Sequence, residues 1–319
     1  MQIKRNIRVP TGNILVVSGH KGDLEVLSIG DYGKDVNLNQ HMAVPNGLPI
    51  MPLTEKWVLT ISSQYGCSMN CNFCDVPKVG PGKNATFHDL CGMILTVITQ
   101  PGVPDCTKRL NIHFARMGEP SWNSAVLDCG KWIAEHLGDS HNPHPVVSTM
   151  MPRRNEWLKV FIHAWMRIKN RVYRGNAGLQ ISINSTDEKE RDAMFSGNAC
   201  TLAEIAGVMQ GIIPVGRKIT LNFAVAGYTV DCEKLARLFS PEIYIVKLTP
   251  MHKTETATQN GIETAGDYTQ PEPYEELESR FQKAGFETLV FIASKEEDES
   301  RITCGNAILA GNMPVNSLS

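Results

Sequence analysis

From residue 57 onward two hydrophobic periods take turns along the chain. Residues 57–64 are apolar and β-branched, as a buried strand requires. Residues 86–99 then place Leu90, Met93, Ile94 and Val97 at helical spacing. Residues 109–116 alternate like a strand, and a helix is predicted near 122–137. The series continues with a strand at 145–150, a helix at 155–168, a strand at 178–184 and a helix near 200–212. Strands at 218–226 and 242–249 flank a short helix starting about 231, and a helix at 271–284 and a strand at 286–293 close the series. Strands alternating with helices predict an α/β fold with a parallel sheet wrapped by helices. Six such units suit an incomplete (β/α)6 barrel, whose chemistry gathers at the carboxyl ends of the strands.

Residues 1–55 differ and are read as a small N-terminal β appendage and linker to a core of 56–319. Asn13–Ser18 and Asp23–Ser28 flank Gly19-His-Lys-Gly22, the pattern of a β-hairpin. Pro45, Gly47, Pro49 and Pro52 mark the linker. Composition adds little drive toward lipid or nucleic acid: the net charge is −2, with 42% hydrophobic residues. No apolar stretch reaches membrane-span length, and the first residues have charge but no apolar signal region, so a cytoplasmic location is expected. Nine scattered cysteines in a reducing compartment read as ligands, catalytic thiols and core fillers.

Three of those cysteines stand in Cys67-Ser-Met-Asn-Cys71-Asn-Phe-Cys74, directly after the first core strand. An iron–sulfur cube needs one ligand per iron, so three thiolates leave one iron open to chelate a ligand. A zinc knuckle wants four ligands, usually from paired C-x2-C units, and no nearby Cys or His makes a good fourth. Three unrelated buried thiols are the remaining alternative. One strand later comes Met117-Gly-Glu-Pro120. By itself this is a turn, but at the carboxyl rim Glu119 could hold an ammonium group, and Gly118 would let backbone approach a ligand closely.

These segments resemble the RlmN/Cfr family of radical SAM methyltransferases. The likeness is carried by Ser62-Ser-Gln-Tyr-Gly-Cys67, Cys71-Asn-Phe-Cys74, Lys83-Asn84 and Met117-Gly-Glu-Pro120, then by Val147-Ser-Thr149, Ile181-Ser-Ile-Asn-Ser185 with Glu190-Arg191-Asp192, and Thr303-Cys-Gly305. It implies a partial barrel holding a 4Fe–4S cluster on Cys67, Cys71 and Cys74, with S-adenosylmethionine (SAM) bound at the open iron. The cluster would cleave SAM to a 5′-deoxyadenosyl radical. Gly118 and Glu119 would lie along the methionine end of SAM, and Ser148, Ser182 and Asn184 near its ribose and adenine. His252 would stand where the family has Asn. The implied partners are RNA (rRNA or tRNA) and a flavodoxin-type electron donor. Cys304 matches the family cysteine that takes a methyl group from one SAM. A radical from a second SAM then activates that methyl to attack an adenine carbon.

One departure weighs against the full mechanism. Seven residues before the first ligand the family has a cysteine that resolves the adduct; here that position is Thr60. A hydroxyl is a poor base and forms no disulfide. Cys232 is the one unassigned cysteine expected at the catalytic end, as a substitute or as core. The resulting expectation is methylation of an sp2 carbon, with adenine in RNA as the implied substrate. The alternative is a related radical SAM enzyme acting on a small molecule or peptide. Trp157, Phe161 and Trp165 are expected as the buried stripe of a helix whose basic residues, Lys169 among them, form an outer face.

Overall fold

The structure, a computed structural model, describes residues 1–31, 41–43, 50–262, 272–293, 297, 299–302 and 306–309. Its first three strands are β1 (Ile3–Val9), β2 (Gly12–Gly19) and β3 (Gly22–Gly30), followed by the short β4 (His41–Ala43). The core opens with β5 (Trp57–Ile61), a small ribbon of β6 (Gln64–Gly66) and β7 (Pro81–Asn84), and helix α1 (Phe87–Ile98). Then come β8 (Leu110–Phe114), α2 (Ala125–His141), β9 (Pro143–Thr149), α3 (Leu158–Arg167) and β10 (Gly178–Ser182). Two helices, α4 (Glu188–Met194) and α5 (Leu202–Met209), lead to β11 (Ile219–Val225), and α6 (Cys232–Leu238) leads to β12 (Tyr244–Pro250). Last are α7 (Glu255–Gln259), α8 (Glu272–Lys283) and β13 (Thr288–Ile292).

β5, β8, β9, β10, β11, β12 and β13 lie side by side in chain order, every neighbouring pair parallel. This is the expected partial barrel, and all its strands point their carboxyl ends to one rim. The burial pattern explains the curl. Trp57, Leu59 and Ile61 of β5 and Leu110, Ile112 and Phe114 of β8 are buried. They share one hydrophobic core with Leu90, Met93, Ile94 and Val97 of α1. The alternate positions, Thr60, His113, Ser148, Asn222 and Lys247, are only partly buried and take the opposite, concave face. Burial first, then Lys247, Arg217, Lys56 and Arg109, push the His113 pKa down to about 3.

Helix starts follow local chemistry. In α1 and α5, Thr86 with Asp89 and Thr201 with Glu204 form reciprocal capping boxes. The expected hairpin is β2–β3, and β1 adds a third strand to it. β3 pairs antiparallel with β5, so this ribbon continues the barrel sheet at its open edge. The aromatic stripe needs correction. Phe161 and Trp165 are buried, but Trp157 sits at the cap of α3 and is 71% exposed. Lys169 is likewise not on an outer face. It lies in a π-helical turn (Ile168–Val172), fully buried, with Nζ donating to the Val215 carbonyl at 2.5 Å. Burial pushes its pKa down to about 8. Among the described residues no helix is long and apolar enough to cross a membrane.

Candidate active site

The cysteine loop leaves the rim after β6 and is held from three sides. Asn198 Nδ2 donates to the Met69 carbonyl at 3.0 Å, and Ser196 Oγ donates to the Asn70 carbonyl at 2.6 Å. From beyond β12, Thr254 Oγ1 donates to the Phe73 carbonyl at 2.7 Å, and Asn260 Nδ2 to the Asn72 carbonyl at 2.6 Å. Asp75, one residue past Cys74, receives Thr256 N at 2.9 Å, Thr256 Oγ1 at 2.6 Å and Glu255 N at 3.2 Å, so it caps α7 from another part of the chain. Burial opposes charge on Asp75, yet these donors and Lys78 hold its pKa below the ordinary range. The third tether is Gln64. Its Oε1 accepts from Ser68 Oγ at 3.2 Å and from the backbone N of Glu119 at 3.0 Å, joining the cysteine loop to the Gly-Glu-Pro turn.

Gly118 has φ +94, and a Cβ there would lie 2.5 Å from Gln64 Cβ. Its lack of a side chain is demanded by this packing and by the left-handed backbone. The turn delivers Glu119, only 2% exposed, beside the cysteines. Its Oε1 accepts from Ser121 N at 3.0 Å, Ser121 Oγ at 2.7 Å and Thr149 Oγ1 at 2.6 Å. Its Oε2 accepts from Met150 N alone, at 2.8 Å, and so keeps acceptor capacity. Burial raises the Glu119 pKa despite these donors.

The thiols share this environment. Cys71 is buried, Cys67 and Cys74 are partly so, and all three adjoin a cluster of Met69, Met194, Phe195 and Ala199. Burial pushes Cys67 up to about 11, with Glu119 adding to the rise. Cys71 is also raised, by burial, by Cys74 and Cys67, and by Glu119. Burial and the neighbouring negative charges thus both oppose the thiolate form of these two cysteines, and a cation beside them would favour it. A cluster of iron fits that donor set, as does a sulfonium bearing an ammonium group beside Glu119. Among the described residues no three His, Cys, Asp or Glu side chains are set to hold a single metal ion; in a cube each thiol reaches its own iron.

The other expected contacts stand on the same rim but are not drawn into one cluster. Asn184 follows β10 with φ 61; its Oδ1 accepts from Ala224 N at 2.9 Å, and its Nδ2 donates to Met194 Sδ at 3.4 Å, beside the cysteine loop. It also lines a cleft of about 230 Å3 with Phe223, Tyr228 and Arg280. Ser182 ends β10, and Ser148 lies one residue before the end of β9. His252 lies just beyond β12, half-buried. Thr60 pairs in register with His113 on the concave face. Cys232 belongs to the main hydrophobic core, its thiol raised by burial, as the bland expectation had it. Cys304 lies outside the described residues, though its flanks at 301–302 and 306–309 do not.

Sequence reasoning missed Gln64, Ser121, Thr149 and Asp75. Ser148 drew the attention, yet its neighbour Thr149 is the residue that reaches Glu119. Strand alternation offered a signal: two adjacent hydroxyls at a strand end point to opposite faces.

An open parallel (β/α) sheet with a three-cysteine loop after its first core strand is the arrangement that the sequence resemblance implied. No family model matches the chain. Solved structures share the fold. A radical SAM methyltransferase from Sphaerobacter thermophilus superposes with a TM-score of 0.64 over 94% of this chain and 79% of that one, at 17% identity. SuiB of Streptococcus suis, bound to its precursor peptide SuiA, gives 0.51 over 77% and 50%, at 14% identity. Among curated sequences, a probable dual-specificity RNA methyltransferase RlmN of Koribacter versatilis is 26% identical over 190 residues, 58% of this chain and 51% of that protein. The dual-specificity RNA methyltransferase RlmN of Sorangium cellulosum is 23% identical over 264 residues, 80% and 62%. In sequence, the chain is similar to these RlmN-named proteins over part of its length. It spans only about half to three-fifths of the length of these two relatives.

Proposed function

We propose that the protein is a radical SAM methyltransferase that methylates an sp2 carbon, with adenine in RNA as substrate and Cys304 as methyl carrier. A 4Fe–4S cluster on Cys67, Cys71 and Cys74, with SAM at its open iron, supplies the radical when bound. The chain's own residues do the rest. Glu119 would hold the ammonium group of SAM, while Ser121, Thr149 and Met150 hold the carboxylate in place. Ser148, Ser182, Asn184 and His252 lie along the same rim for the nucleoside part. The contacts from α7 and its flanks and from the turn after α4 hold the cysteine loop in place. The observation that carries the reading is the buried Glu119 carboxylate, with no cationic partner among the described residues, acting on the Cys67 and Cys71 thiols of the three-cysteine loop.

Thr60 favours a second reading: a related enzyme that cleaves SAM but modifies a small molecule or peptide, since no thiol stands at the position of the family's resolving cysteine. Anaerobic reconstitution with dithionite and SAM tests both. The first reading expects 5′-deoxyadenosine together with an added methyl on Cys304, seen by peptide mass. 5′-Deoxyadenosine without that methyl selects the second. Its absence with the cluster intact refutes both.

A further inference from the structure

A buried ion pair joins the N-terminal ribbon to the loop after β8. Arg116 Nε lies 2.8 Å from Glu25 Oε2, with side chains 4% and 0% exposed. Each partner also grips a different flank of residues 303–305. Arg116 Nη1 donates to the carbonyls of Arg301, at 2.8 Å, and Ile302, at 3.3 Å. Glu25 Oε1 accepts from the backbone N of Ile308 at 2.7 Å. Two further contacts pull the later flank the same way. Arg5 Nη2 donates to the Ala307 carbonyl at 2.9 Å, and Asn306 Nδ2 to Met117 Sδ at 3.1 Å. Ile302 and Ala307 pack with Val9, Ile14, Val16 and Leu27 of the ribbon in a small core of their own. Glu25 is itself fixed, because Ser62 Oγ donates to its carbonyl at 2.7 Å and accepts from its N–H at 3.3 Å.

A stability role alone explains this poorly. Buried ion pairs seldom outdo apolar residues of the same volume. Here Arg116 Nη2 is also buried with no hydrogen-bond partner, which adds a cost. The pair does fix a geometry. Arg116 lies three residues before Glu119 on the same β8 loop, so the contacts set both flanks of 303–305 relative to the catalytic rim.

We propose that Arg116 and Glu25 are positioning residues that seat the two flanks of 303–305, at 301–302 and 306–308, beside the rim, making the N-terminal ribbon a working part of the enzyme. The inference rests on the reading of Cys304 as methyl carrier. Its test has one arm independent of that reading. In the reconstituted full-length protein, Glu25→Gln keeps the shape but removes the charge. Arg116→Lys keeps the charge but removes the fork needed to serve Glu25 and two carbonyls together. Both variants are expected to lose at least about tenfold in Cys304 methylation while 5′-deoxyadenosine formation stays within about twofold. Methylation within about twofold of wild type in a folded variant overturns the proposal, as does an equal fall in both products. The independent arm is tryptic cleavage after Arg301, expected to speed up about tenfold in each variant with cleavage elsewhere unchanged. Unchanged cleavage after Arg301 overturns the positioning role. Wild-type protein that never methylates Cys304, yet shows the cleavage difference, refutes the carrier reading and leaves the seating intact.

Discussion

Glu25 and Glu119 are both almost wholly buried carboxylates, and they are equipped in opposite ways. Glu25 has a guanidinium against it and hands its second oxygen to a backbone N–H. Among the described residues Glu119 has four donors and no cation: two hydroxyls and two backbone groups. The first arrangement is electrically closed, so it can hold chain segments in register but cannot attract a charged ligand. The second holds a negative charge in place beside thiols that become negative on binding iron. Such a site is costly when empty and relieved by a cation. Burial alone does not mark a carboxylate as functional; what it faces does.

The largest effect should come from the cysteines themselves. Cys71→Ala should abolish iron and sulfide binding and with it all SAM cleavage, while the fold persists. A brown, iron-loaded variant would show that the thiol is not a ligand. Next is the closed carboxylate. Arg116→Ala leaves Glu25 buried without its counter-ion, and a loss of about 3–5 kcal/mol in unfolding free energy is expected. Replacing both partners, Arg116→Met with Glu25→Gln, should recover much of that, as read by urea denaturation. If the single variant costs no more than the double, the two carboxylates do not differ as described.

Glu119→Gln sharpens the contrast from the other side. It should weaken SAM binding by about 10- to 100-fold, the worth of one charge-assisted hydrogen bond. It should leave unfolding stability equal or higher, because a costly buried charge is gone. A drop of several kcal/mol instead would make Glu119 a structural residue like Glu25.

Much of this was legible in the sequence because spacing encodes it. Leu90, Met93, Ile94 and Val97 predicted α1 and its buried face, and the position of the three cysteines directly after a strand predicted a thiol loop at the carboxyl rim. The Glu119 cradle was legible only in part. Glu119 and Ser121 are neighbours, but Thr149 and Met150 arrive from the next strand, and parallel register cannot be read from one strand at a time. The Glu25–Arg116 pair was invisible, since its members are separated by 91 positions and each looks like an ordinary surface charge. Trp157 misled for a different reason. Its spacing to Phe161 and Trp165 is helical, but the helix starts one residue later, so it never joins the buried face.

The smallest effect is a pH dependence, and its sign follows from the Glu119 environment. The unfolded carboxyl titrates near 4.5, and burial places the folded value higher. Between the two, the folded protein retains a proton that the unfolded chain has lost. The stability this group contributes is therefore complete below 4.5 and drains away as pH rises through the folded pKa. Cofactor-free protein should lose stability over that window with a slope of at most about 1.4 kcal/mol per pH unit. Glu119→Gln should flatten it. SAM should act in the opposite direction, because its ammonium group favours the ionised carboxylate, so its affinity should rise with pH across the same window. Urea titrations of wild type and Glu119→Gln at several pH values, with SAM binding measured in parallel, check both signs. A window that survives in the Gln variant belongs to some other group.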